Sequence, residues 1–488
     1  MTRFSGIPEV VLLIGLLLVL LLPVLKIGKT PSPGKEGRGA FGLTQLSLGV
    51  ALLALLIQSG LNAASTPTHI NELVFLHPLT TLFQAGILLA TFIALLYARG
   101  TLKSDHLWKP ELFALLLCSV IGALTVVSAN HFLPLFLGVE MMSLPLYAMI
   151  ALKPDQRATE AAMKYFFLGA LSSAILLYAL SLAYGTSGTL TALLSANANS
   201  SHGINLANLA YLFLIAAIAF KLSLVPFHGW APDVYQGAPT FLTFFISTVP
   251  KLAGVMLLFR FSFGEVSSSV LTLLSLLSMI VGAVAAIIQT DIKRMLAYST
   301  IGHMGYLLLG MIAQDTMGYT ASFVYIFAYA LTGLAAFGVL LLAGGANQPP
   351  ETLDDLAGFS KKFPALAWVM AAAMLSYAGV PPFIGFFTKF AVIESAWNAG
   401  TFVLSLVSVV AILTSVIAAF YYLRVIALMF FTAKSIAVSP ISDEARGGSW
   451  VAYGVLAVNG AMLLVLGVMS SGVFDGFAAI VESALRVP

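Results

Sequence analysis

Apolar runs of about twenty residues recur along the whole chain, separated by short polar or Pro/Gly-rich connections. A helix needs roughly 20 residues to cross the hydrocarbon core of a bilayer, so this spacing predicts membrane spans. Windows of that length fall at 7–25, 41–58, 79–97, 112–127, 132–152, 161–184, 207–226, 240–259, 267–288, 293–313, 318–343, 364–393, 401–431 and 451–471. The expected architecture is an all-α polytopic membrane protein of about 14 transmembrane helices, with both termini on one face. The first window follows one cation, Arg3, and lacks a small-residue cleavage site near Leu25. It is therefore expected to remain as a helix and not to act as a removed signal.

Placement of lysine and arginine sets the orientation. Connections after odd-numbered spans, with the adjoining helix ends, carry sixteen of the 23, from Lys26 and Lys29 through Lys293 and Arg294 to Arg446. Connections after even-numbered spans and the termini carry Arg3, Arg260 and Arg486. The odd side is expected in the cytoplasm, which places both termini in the periplasm.

A short repeat runs through the pattern. The run Val225-Pro226-Phe227-His228-Gly229-Trp230 ends the seventh span, and Pro381-Pro382-Phe383-Ile384-Gly385-Phe386 interrupts the twelfth. Pro226 and Pro382 are 156 residues apart, and the fourth and ninth spans start 155 apart. An offset of five spans is odd, so the two units would insert in opposite orientations. This divides the chain into 1–110 (spans one to three), 111–262 (spans four to eight), 263–432 (spans nine to thirteen) and 433–488 (span fourteen and tail). Proline removes a backbone donor, so spans seven and twelve are expected to be broken.

Composition agrees and excludes several classes. Of 488 residues, 60% are hydrophobic and 9% charged, against about 25% charged in soluble domains. The net charge of +3 comes with no basic patch outside the membrane-flanking loops, which argues against nucleic-acid binding. Cys118 is the single cysteine, so an intrachain disulfide is impossible and a thiolate metal or iron–sulfur centre is not expected. Residues 185–205, rich in Ser, Thr, Asn and Gly without charge, read as an external loop. In the tail, Phe474, Phe477, Val481 and Leu485 recur at helical spacing. That pattern suggests an interfacial helix against a neighbouring subunit or the lipid surface.

Against this background the charges inside the spans stand out: Glu140, Lys164, Lys221, Lys251 and Lys389. A charge at the bilayer centre costs from about 3 kcal/mol upward and needs a partner, water or a purpose. Lysine can lose its proton when desolvated, whereas arginine effectively cannot, so several such lysines and one carboxylate suit proton or cation movement. Lys221 lies five residues before Pro226, where freed carbonyls demand water or polar side chains; snorkelling to the interface is the alternative. Lys251 follows Pro250, and Lys389 lies seven residues after Pro382. Glu140 could be a static packing contact. Lys164 has Glu160 one turn away and could form an ordinary ion pair. His303, mid-way along the tenth span, could relay protons or be a hydrogen-bonded core residue. Two unit charges 4 Å apart interact by about 4 kcal/mol at an effective dielectric of 20, enough to switch a neighbouring lysine between charged and neutral.

Residues 221–240, KLSLVPFHGWAPDVYQGAPT, resemble the seventh-span signature of the antiporter-like membrane subunits of respiratory complex I, the proton-pumping NADH:quinone oxidoreductase. The Asp-Val-Tyr-Gln-Gly-Ala-Pro form is most similar to the N-type (ND-two) branch. Residues 137–145, 289–298 (QTDIKRMLAY) and 303–308 support the resemblance, which spans nearly the whole chain. It implies fourteen helices, inverted five-helix repeats over helices 4–8 and 9–13, and broken helices 7 and 12. It also implies a coupled Glu140–Lys221 pair, Lys251 as the central lysine, Lys389 leading to the exit side, and Lys164 as a further family lysine. The M-type branch usually has glutamate where this chain has Lys389. The L-type branch carries a long C-terminal lateral helix that this chain is expected to lack. The resemblance further implies a bacterial inner-membrane location, partners among the other membrane subunits (M, J and K), and no cofactor in this chain. NAD, FMN, iron–sulfur clusters and quinone would belong to other subunits, so the chain would be a non-redox part of a translocase enzyme. A cation/proton antiporter subunit and a purely structural scaffold are the competing readings.

Overall fold

The computed structural model describes residues 6–24, 33–62, 68–70, 73–191, 206–261, 265–344, 350–432 and 449–486. Its helices are α1 (Ile7–Val24), α2 (Pro33–Asn62), α3 (Pro78–Ser104), α4 (Pro110–Ser128), α5 (Phe132–Ala151) and α6 (Gln156–Ser187). They continue as α7 (Leu206–Leu222), α8 (Trp230–Gly237), α9 (Thr240–Phe259), α10 (Glu265–Ile287), α11 (Ile292–Ile312) and α12 (Thr316–Gly344). The remainder are α13 (Phe359–Lys362), α14 (Pro364–Ala378), α15 (Ile384–Asn398), α16 (Phe402–Phe431), α17 (Ser449–Val468) and α18 (Ser470–Leu485). Twelve of the described helices are long and apolar enough to cross a membrane, and the shorter α7 and α14 are apolar too. α2 starts eight residues before its apolar window, because a helix continues through the polar interface where hydropathy no longer marks it. Most of the expected loop at 185–205 and the connection at 433–448 lie outside the described residues.

The chain is not purely helical. β1 (Thr68–Ile70) pairs antiparallel with β2 (Val74–Leu76), Thr68 opposite Leu76. Three-residue strands are too short to register against a helical window. The tail forms α18, as its spacing predicts, and its apolar face turns onto α12 and α3 of its own chain. The Phe477 ring lies 5.5 Å from Phe327, Val481 is fully buried, and Ser483 Oγ lies 3.3 Å from His77 Nε2. Periodicity shows that an apolar face needs cover; it does not say which surface supplies it.

Both expected breaks are present, and they are built alike. α7 stops at Leu222, and Ser223 takes a left-handed φ of 59°. The Leu224 N–H then bonds the Ala219 carbonyl at 2.8 Å. α14 stops at Ala378, Gly379 takes φ 81°, and the Val380 N–H bonds the Leu375 carbonyl at 3.0 Å. This six-to-one closure is the usual way to satisfy the last carbonyls of a helix. The 156-residue offset carries each atom of the first closure onto the second. The helix ends before Pro226 because a residue preceding proline avoids the helical region. Pro250 does not break α9, which runs continuously through it.

Two helix pairs, α4 with α5 and α10 with α11, pack closely through glycine. A Cβ on Gly122 of α4 would come 2.3 Å from the Met142 backbone nitrogen of α5, and one on Gly282 of α10 would come 2.5 Å from that of Gly302 on α11. Only glycine permits such approach. Ser119 Oγ donates to the Met142 carbonyl at 2.8 Å, and Ser275 Oγ to that of Gly305 at 2.7 Å.

Candidate functional site

The two breaks leave carbonyl oxygens without helical donors, and lysine ammonium groups supply them. Lys251, 0% exposed on α9, donates to the Lys221 carbonyl at 2.7 Å and to Ser223 Oγ at 2.6 Å. Its Nζ also lies 5.2 Å from the Trp230 ring centroid, a geometry that attracts cations. Lys389 on α15 donates to the Tyr377 and Ala378 carbonyls at 2.6 and 3.2 Å and sits 5.3 Å from the Tyr306 ring. The C-terminal end of a helix carries partial negative charge, so each half-helix end favours the cation placed there.

Lys221, buried at the end of α7, turns the other way. Its Nζ donates to Ser143 Oγ on α5 at 2.7 Å, and Ser143 in turn donates to the Val139 carbonyl at 2.7 Å. Glu140 sits about one turn earlier on α5. Its Oε1 is buried with no hydrogen-bond partner among the protein atoms. Of the expected Glu140–Lys221 pair, the ammonium is taken by the Ser143 hydroxyl.

His303 is buried on α11 and held by two phenols. Nδ1 lies 2.7 Å from the Tyr325 hydroxyl and Nε2 2.9 Å from that of Tyr422, while Tyr422 also bonds Ser299. Tyr377 packs against the imidazole with ring centroids 4.9 Å apart. A small cavity bounded by His303, Tyr329, Thr332, Ser376, Tyr377 and Lys389 leaves room for about one water. Thr332 and Ser376 hydroxyls are 3.1 Å apart there, and Tyr329 bonds Thr300 at 2.7 Å.

Gly333 of α12 lies between Tyr377, which packs on His303, and α9, which carries Lys251. A methyl group there would lie 3.2 Å from the Tyr377 hydroxyl and 3.9 Å from Thr248 Oγ1. Thr248 is three residues before Lys251 on α9. The Phe244 ring lies 3.7 Å from the same methyl position, so glycine is what lets these side chains pack close to α12 there.

Lys164 does not belong to this buried set. Its side chain is 43% exposed, and its Nζ bonds Glu160 and Asp233, each at 2.8 Å. The ordinary ion pair with Glu160 is present because Lys164 lies near the helix end, where the hydropathy window still reads as membrane. Asp233 on α8 also takes Arg294 at 2.6 Å, and Arg294 bonds Gln236 at 3.1 Å. This network ties α6, α8 and α11 beside a polar cavity of about 260 Å³. Ser143, Ser223, Asp233 and Gly333 were not singled out by sequence reasoning. One of them was within reach: the repeat offset carries Asp233 onto Lys389. Lys293 and Arg260, counted with the connections by charge, are also buried. Lys293 donates to the Ala238 carbonyl at 2.9 Å and Arg260 to that of Val127 at 2.5 Å.

Residues 129–415 match the family model described as NADH:quinone oxidoreductase/Mrp antiporter, TM. The chain is 41% identical to the NADH-quinone oxidoreductase subunit N of Laribacter hongkongensis, over 96% of this chain and 95% of the relative. It is 38% identical to that of Neisseria gonorrhoeae over 98% of both. A chain of respiratory complex I from Thermus thermophilus superposes with a TM-score of 0.79 at 30% identity, covering 97% of this chain and 100% of that one. A chain of the Mrp complex from Dietzia superposes at 0.82, covering 100% and 98%, with 20% identity, and so shares the fold.

Proposed function

On the premise that the chain belongs to the subunit N family of NADH-quinone oxidoreductase, we propose that it carries protons through the row Glu140, Lys221, Lys251, His303 and Lys389 in the membrane arm of complex I. The observation that carries this reading is the paired use of lysine at two helix breaks joined by a hydroxyl-lined interior. Lys221 is held at Ser143, Lys251 binds the Lys221 carbonyl and Ser223, and Lys389 binds the matching carbonyl, that of Tyr377, at the second break.

Charge interaction then couples the steps. With Glu140 close, the Lys221 ammonium is favoured. When the carboxylate's field is withdrawn, the buried ammonium becomes costly and its proton passes toward Lys251 by way of the Ser223 hydroxyl. From there Thr248 and Tyr377 lead past Gly333 to the His303–Lys389 cavity. The Lys164–Asp233–Arg294 network, near the polar cavity, is the proposed uptake side. The inner-membrane location, periplasmic termini, inverted five-helix units, and contacts with subunits M, J and K are part of the same proposal. So is the absence of redox chemistry in this chain, with NAD, FMN, iron–sulfur clusters and quinone handled elsewhere in the complex. Identity to subunit N over nearly the full length favours complex I over an antiporter complex, whose likeness here is one of fold.

The test is K221A or E140A in the assembled complex, reconstituted in liposomes. Fewer protons moved per electron, at normal amounts of complex, is expected; an unchanged ratio in both variants refutes the route. Normal pumping with reduced assembly would instead support a scaffold.

A further inference from the structure

A groove of about 550 Å³ lies between the first turns of α12, the middle of α15 and the first turns of α18. It is within the size range of small-ligand sites, about 300–1,000 Å³. Its charged lining residues are Glu394 and Asp475, and neither lysine nor arginine lines it. Phe390 and Phe387 lie four and seven residues before Glu394 on α15, on the same helix face. The apolar floor therefore extends about 10 Å from the carboxylate toward the membrane interior. Phe390 is 56% exposed. Within this floor, Thr320 of α12 is 5% exposed, and its Oγ1 has no hydrogen-bond partner among the protein atoms. A buried hydroxyl left unpaired is rare in folded proteins.

We propose that this groove is a binding site for a membrane phospholipid with a primary ammonium head group, of the phosphatidylethanolamine class. Glu394 and Asp475 face the ammonium, an acyl chain covers the phenylalanines, and the Thr320 hydroxyl donates to an ester carbonyl oxygen of the lipid. Two carboxylates with no cation among them reject anionic lipids, whose head groups they repel. An apolar helix from another subunit would cover the phenylalanines but would leave Glu394 and Asp475 without a cation beside them. The site is separate from the proton route.

The intact complex, extracted in mild detergent, is equilibrated in nanodiscs of equal phosphatidylethanolamine and phosphatidylglycerol. Lipid on the released chain is then counted by native mass spectrometry. Retention of phosphatidylethanolamine in preference to phosphatidylglycerol is expected. The double variant E394Q/D475N should lower its occupancy about fivefold, and T320V should lower it about twofold without altering head-group preference. Unchanged occupancy in the double variant, or equal retention of the two lipids, overturns the assignment. So does crosslinking of F390C to another subunit with no lipid retained, which would show a protein occupant.

Discussion

Replacing Ser143 by alanine is a sharp test of how Lys221 is held. The hydroxyl accepts from Lys221 Nζ at 2.7 Å and donates to the Val139 carbonyl at 2.7 Å. The second bond is a back-bond to a carbonyl four residues earlier, so its loss should cost the helix little. Alanine is also a good helix former, and removing one oxygen from a residue 1% exposed opens almost no cavity. The first bond is charge-assisted and worth about 1.5–3 kcal/mol. At about 1.4 kcal/mol per factor of ten, S143A should shift the population of Lys221 held beside α5 by roughly 10- to 100-fold. The assay is proton translocation by the assembled complex in liposomes, followed with a pH-sensitive dye during NADH-driven quinone reduction. A lower proton-to-electron ratio at wild-type amounts of complex is expected, with S143T restoring most of it. A wild-type ratio for S143A would refute the argument that this hydroxyl positions Lys221.

Lys251→Met removes both donors at the first break and leaves the Lys221 carbonyl and Ser223 hydroxyl buried without partners, at about 1–3 kcal/mol each. Pumping should fall further than in S143A, and thermal stability should drop measurably. Gly333→Val places carbon at the point flanked by Thr248 and the Tyr377 hydroxyl; the proton-to-electron ratio should fall while quinone reduction continues, as read in the same liposomes. The N-terminal cap of α3 should depend on pH through His77, which accepts the Leu79 N–H on Nδ1 at 3.1 Å. Burial first, then the Arg260 charge, push this imidazole below its usual range, against an unperturbed value of about 6.5. Its contribution is therefore fully present above about pH 6.5 and lost as pH falls through the lowered value, because protonated Nδ1 can no longer accept. Hydrogen exchange in the first turn of α3 should rise on acidification, and H77N should abolish that dependence.

The sequence by itself determined the membrane class, the positions of nearly all spans, the two broken helices and the lysines beside them. Those properties follow from local rules: about 20 apolar residues cross a bilayer, proline ends a helix, and a charge in hydrocarbon needs a reason. The 156-residue offset was also legible, from the similar runs around Pro226 and Pro382, and the closures around Ser223 and Gly379 keep it. Tertiary structure decided the rest. Lys221 and Ser143 are 78 positions apart, and Tyr422 and His303 are 119 apart; nothing local encodes such pairings. Only packing could show that Lys164 is half-exposed with Asp233 while Lys293, outwardly a loop charge, is buried on the Ala238 carbonyl. Hydropathy averages over a window and cannot see which face of a helix turns inward, and that rotation decides which polar groups meet.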